Sequence, residues 1–168
     1  MSTSSTPENT ATRWLSADEQ CTWRNFLTAW QWLLSSVDGQ LMRDARIPLA
    51  YYEILVRLSE APDRALRMSQ LAAMASGSVS RLSHVVSRLE AKGWVRREPC
   101  PGDGRFINAV LTDEGLQKVV ATAPGHVAAV RERLISTLTE EEFAQLGAIS
   151  AKVLAAQGIK IVIPNESG

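Results

Sequence analysis

Arg81, His84 and Arg88 stand three and four residues apart in the stretch Ser80-Arg81-Leu82-Ser83-His84-Val85-Val86-Ser87-Arg88. A helix sets them on one side, with Ser78, Ser80, Ser83 and Ser87 beside them. A guanidinium can donate two parallel hydrogen bonds to guanine O6 and N7, and an imidazole can bond a base edge or a phosphate. Short hydroxyls let such a helix approach closely, and Ser78 with nearby backbone N–H groups can hold a phosphate at the helix N-terminus. Farther along, Asp103 and Arg105 lie two residues apart in a turn-rich stretch. There the carboxylate can orient a guanidinium long enough to enter a narrow minor groove. These residue types at these spacings suit contact with double-stranded DNA. Arg81 and His84 are placed to read bases, and Arg88, farther along, to meet phosphate.

The charge distribution agrees, although the total hides it. Lys and Arg number 18, as do Asp and Glu, so the formal net charge is zero. Residues 64–105 nevertheless hold eight basic against three acidic side chains, while the segments before and after are acidic by three and by two. A basic middle between acidic flanks is what phosphate neutralisation requires, because that term dominates nucleic-acid affinity. Enzymatic chemistry has little to work with. His84 and His126 are the only histidines, and no phosphate loop, nucleophile elbow or metal-ligand spacing occurs. No metal and no cofactor is expected. Cys21 and Cys100 are far apart, which speaks against a disulfide framework and for reduced thiols. With no long apolar run and no signal-like N-terminus, the expected location is cytoplasmic, with no membrane partner.

The elements that must position these side chains follow from apolar periodicity and from Gly and Pro punctuation. At 168 residues one compact unit is expected, after a Ser/Thr-rich tail over residues 1–13. Trp23, Phe26, Leu27, Trp30, Leu34, Val37 and Leu41 recur at three and four, predicting one long helix over 16–43, with Trp32 on its opposite face. A second helix opens at Pro48 and stops at Glu60-Ala61-Pro62; a short strand over 66–68 follows. Ser69 caps a short third helix, and Ser76-Gly77-Ser78 forms a turn. The fourth helix, 78–92, buries Leu82, Val85, Val86 and Leu89 and stops at Gly93. Strands over 94–98 and 106–111 flank a tip at 99–104, making a β-hairpin. Thr112 opens a fifth helix reaching about Leu138, with a kink at Pro124-Gly125, and Thr139 with Glu142 opens a sixth before an apolar tail at 159–163.

A short helix, a turn and a second helix with a polar outer face make a helix-turn-helix, and the hairpin beside it makes a wing. The predicted fold is therefore mainly α with a small sheet (α+β): a winged helix-turn-helix over 46–112, set between helical segments 14–45 and 113–163, about six helices in all.

In detail the chain resembles the MarR family of bacterial regulators from about Trp14 to Leu154. Three stretches carry the likeness: Ser80-Arg81-Leu82-Ser83-His84 running into Arg88-Leu89-Glu90-Ala91-Lys92-Gly93-Trp94-Val95; Asp103-x-Arg105 with Leu111-Thr112-Asp113-Glu114-Gly115; and Leu49 to Pro62. The resemblance implies a transcriptional regulator, expected to be a repressor. It implies a homodimer held by its N- and C-terminal helices, a pseudo-palindromic operator, and release by a small ligand in a cleft whose aromatic candidates here are Trp23, Trp30, Tyr51 and Tyr52. Two positions depart from the family pattern. Gly104-Arg105-Phe106 replaces Arg-Arg-Gly after the wing Asp, leaving one wing arginine, and Val79 stands where a polar or basic residue is frequent. Two alternatives stay open: redox sensing through Cys21, and a winged helix used to dock a protein.

Overall fold

The computed structural model describes residues 12–74, 79–101 and 103–159, with Val79 described by its backbone. Ser78, the turn 76–78, the segment 1–11 and residues 160–163 lie outside the described residues. Ser16 opens α1 (Ala17–Ala45) through a reciprocal capping box with Glu19. Next come α2 (Leu49–Glu60), a 3-10 turn (Pro62–Arg64), β1 (Ala65–Arg67), α3 (Met68–Met74), α4 (Val79–Ala91), β2 (Val95–Cys100) and β3 (Asp103–Leu111). The chain continues through α5 (Asp113–Arg133) and a second 3-10 turn (Ile135–Thr137) to α6 (Glu140–Ala156). The three strands form an antiparallel sheet in the order β1-β3-β2. Six helices and a small sheet are thus what periodicity predicts.

One apolar core joins α2, α3, α4 and the sheet to the C-terminal half of α1 and to α5. Leu41, Ile47, Leu55, Leu58, Leu71, Val86 and Leu89 are its largest fully enclosed members. Long-range caps tie the helices together. Asp38 on α1 accepts the Leu49 N–H at 2.7 Å, satisfying an orphan donor that Pro48 cannot serve. Lys118 on α5 donates to the Ala45 carbonyl at 2.5 Å, closing the other end of that junction.

The joint between wing and α5 explains two glycines. Gly93, at φ 74°, ends α4 in a Schellman motif: Trp94 N–H bonds the Leu89 carbonyl (3.0 Å) and Gly93 N–H bonds the Glu90 carbonyl (2.8 Å). Thr112 then donates to the Gly93 carbonyl at 2.7 Å and caps α5 by accepting from Gly115 N–H at 3.0 Å. Gly115 is held to glycine by contact: a Cβ there would lie 2.1 Å from the Trp94 carbonyl oxygen and 2.7 Å from Leu111 Cδ1.

Several boundaries differ from the sequence expectation. The third helix begins at Met68, not after Ser69, because the Gln70 side chain accepts the Arg67 N–H at 3.2 Å and closes that start two residues earlier. The strands run into the expected hairpin tip, pairing Cys100 with Asp103, so Arg105 stands on β3 and not in the turn. Residues 113–133 form a single helix through Pro124, although the Val120 carbonyl loses its donor there, and a 3-10 turn replaces the expected last helical turn. No described helix is long and apolar enough to cross a membrane.

Candidate nucleic-acid interface

α4 buries Leu82, Val86 and Leu89 and leaves Ser80, Arg81, His84, Ser87 and Arg88 exposed. The expected polar face therefore stands outward, except at Ser83. Ser83 is half-buried because Arg97, from β2, reaches across to α4. Its guanidinium donates to the Ser83 carbonyl (2.9 Å), to the Ser83 hydroxyl (3.2 Å) and to the Ser87 hydroxyl (3.2 Å). It also pairs with Glu90 at 2.5 Å. Ser83 is thus engaged within the chain, between recognition helix and wing. From the sequence Arg97 is one more member of the basic cluster; the register of β2 turns it inward while Arg96 faces out and pairs with Glu98.

On the wing, Arg105 and Asp103 form a two-point fork, with Nε to Oδ1 at 2.9 Å and Nη2 to Oδ2 at 2.8 Å. The Arg105 backbone N–H also bonds Oδ1 at 3.2 Å. The side-chain bond above all, then the backbone bond, holds the Asp103 carboxyl below its ordinary range, and the same pairing raises Arg105. Arg105 is 85% exposed in this pose, so Asp103 aims it without hiding it. A solvent-facing pair of this kind adds little to stability, which leaves orientation as its physical role.

Within the single chain the four aromatic candidates occupy different surroundings. Trp30 lines an open groove of about 490 Å³ between α1 and α2, with Leu34, Ser35, Asp38, Leu49, Ala50 and Glu53. Trp23 lies farther up α1, exposed beside Phe26 with ring centroids 6.3 Å apart. Tyr51 is half-buried against the core. Tyr52 is buried and meets His126 of α5 edge-on at 4.9 Å. Burial keeps His126 below the ordinary imidazole value, and among the described residues its Nδ1 has no hydrogen-bond partner.

Among the described residues no group of three or more His, Cys, Asp and Glu could hold a metal ion. Both thiols are free; Cys21 is exposed, with Asn25 Nδ2 3.7 Å from its sulfur, and Cys100 is half-buried.

The arms contrast with this ordered surface. α6 has no buried residue, and its Phe143, Ile149 and Val153 are exposed. So are Trp23, Phe26, Trp30 and Trp32 of α1.

Comparison with known proteins places these features. Residues 47–105 match the model of the MarR family. The fold superposes on the crystal structure of Sco3205, a MarR family transcriptional regulator from Streptomyces coelicolor in complex with DNA, with a TM-score of 0.84 and 49% identity, covering 91% of this chain and 94% of that one. The HTH-type transcriptional regulator PecS of Dickeya dadantii is 39% identical over 74 residues, 44% of either chain. The HTH-type transcriptional repressor MdtR of Bacillus subtilis is 33% identical over 104 residues, 62% of this chain and 66% of that one. The match therefore spans less than two thirds of either of these last two relatives.

Proposed function

Because the chain belongs to the MarR family and is a DNA-binding transcriptional regulator, we propose that it is a repressor that binds a pseudo-palindromic operator as a homodimer and is released by a small aromatic ligand. One observation carries the DNA-reading part: the outward face of α4, with Arg81, His84 and Arg88, stands beside a wing whose Arg105 is aimed by Asp103 and open to solvent. In this reading α4 enters the major groove, where Arg81 and His84 meet base edges, Arg88 and the Ser78–Ser80 end meet phosphate, and Arg105 reaches the adjacent minor groove. Ser83 contributes through Arg97, by fixing α4 against the wing.

Residues 46–112 form the DNA-binding region, and 14–45 with 113–163 form the dimerising one. The exposed apolar faces of α1 and α6 support this division, since such faces on separate arms call for a second surface. Pairing them across a two-fold axis sets two α4 helices roughly 34 Å apart, one turn of DNA. The groove beside Trp30 suits the ligand. Among the described residues its lining holds two carboxylates, Asp38 and Glu53, and no cation, which favours a neutral or cationic aromatic molecule over an aromatic acid. A ligand that prefers a mis-spaced dimer weakens operator binding by the ratio of its affinities for the two spacings. The test is a mobility shift of the gene's own upstream fragment, with aromatic amines, aromatic acids and no ligand in parallel. Specific retardation relieved by amines is expected; no preference for that fragment over random DNA, or relief by acids alone, overturns the corresponding part.

A further inference from the structure

Arg67 ends β1, directly before the first residue of α3. Pairing with β3 sets it opposite Asn108, and Phe106 lies two residues nearer the hairpin end on the same sheet face. The Arg67 guanidinium lies over the Phe106 ring, 4.9 Å from its centroid, a cation–π contact. Both side chains are exposed, with Phe106 at 43%. The positive charge reaches the wing as well, since Arg67 helps lower the Asp103 carboxyl that aims Arg105. At its other side the Arg67 N–H is tied to Gln70 of α3. One guanidinium thus sits at the seam between the helix-turn-helix and the wing.

We propose that Arg67, held over Phe106, is a DNA phosphate-contacting residue that grips the backbone between the groove entered by α4 and the groove met by the wing. The proposal rests on the docking described above. Placement on the sheet, and not on α4, keeps Arg67 away from base edges, so phosphate is the matching partner for its donors. Phe106 supplies order: a guanidinium already resting on a ring loses less rotamer freedom when it binds. That gives an exposed phenylalanine on a DNA-facing hairpin a physical use.

The experiment titrates full-length Arg67→Ala, Arg67→Lys, Phe106→Leu and Arg105→Ala against the upstream fragment and a random duplex of equal length, by fluorescence anisotropy across a salt series. Arg67→Ala is expected to weaken both DNAs by the same factor and to shallow the slope of log K against log salt by about 0.9, the value of one lost phosphate contact. Arg67→Lys keeps the slope. Phe106→Leu keeps it too, with weaker binding to both DNAs. An unchanged slope in Arg67→Ala overturns the proposal; if Arg105→Ala still shallows it, the docking stands without Arg67. Loss confined to the upstream fragment also overturns it, by making Arg67 a base reader. If neither arginine variant changes the slope, the docking fails and the proposal fails with it.

Discussion

Leu55, Leu58, Leu71, Val86 and Leu89 of the winged unit are sealed from solvent, whereas Trp23, Phe26 and Trp30 of α1 and Phe143, Ile149 and Val153 of α6 stand exposed. Both regions are written with the same helical spacing of apolar residues, so periodicity does not separate them. The difference lies in closure. The winged unit folds back on itself through the sheet, and every helix in it finds a partner within the chain. α1 shows the transition along its own length: Val37, Gln40 and Leu41 are buried where α2 and α5 cover them, and the residues before Leu33 are mostly bare. The two arms thus carry apolar stripes that no part of the described chain covers, which is the observation behind the proposed dimer.

The largest expected effect falls where the closed region is tightest. Gly115→Ala pushes a Cβ into the Trp94 carbonyl, so a loss of about 3 kcal/mol is expected from the overpacked joint, read as a lowered denaturation midpoint. An unchanged midpoint would show that wing and α5 can part freely. The arms should respond in the opposite manner. Ile149→Asp places a charge on a face that is exposed in the single chain. It should weaken dimerisation by about 2–3 kcal/mol, up to roughly a hundredfold in Kd, while leaving the helical content of the monomer intact. Sedimentation equilibrium checks it; a dimer of unchanged strength removes α6 from the interface.

Arg81→Ala should cost about 1–3 kcal/mol on the cognate fragment and much less on random DNA, as loss of a bidentate base contact does. Equal losses on both would assign Arg81 to phosphate. The smallest effect lies at the boundary between the two regions, at His126. Burial lowers its folded-state pKa, so the unfolded chain takes up the proton first as pH falls. Stability is then full above about pH 6.5 and declines below it, by under about 1.4 kcal/mol per pH unit, until the folded protein also protonates. Urea midpoints at pH 7.5 and 5.5 measure the decline. His126→Phe, which keeps a ring beside Tyr52, should remove part of the difference; an identical pH dependence would place the titration elsewhere.

Most elements and the outward face of α4 were legible from residue order, because they depend on interactions within a few residues. Thr139 with Glu142 is a cap read at a spacing of three, and Gly93 stops α4 by a conformation that glycine adopts readily. Asp103 and Arg105 meet because neighbours two apart on a strand share a face.

The remainder depends on contacts between residues distant in the chain. Strand register turned Arg97 toward Ser83 and Glu90. Sheet order brought Arg67 to Phe106. The packing of α2 against α1 left Trp30 on a groove, while Tyr52 went into the core. Composition and spacing show which side chains are apolar, but a pocket is a relation between surfaces. The polar face of α4 is therefore written in local sequence, and the packing of wing, strand and arm determines which of its polar side chains remain outward.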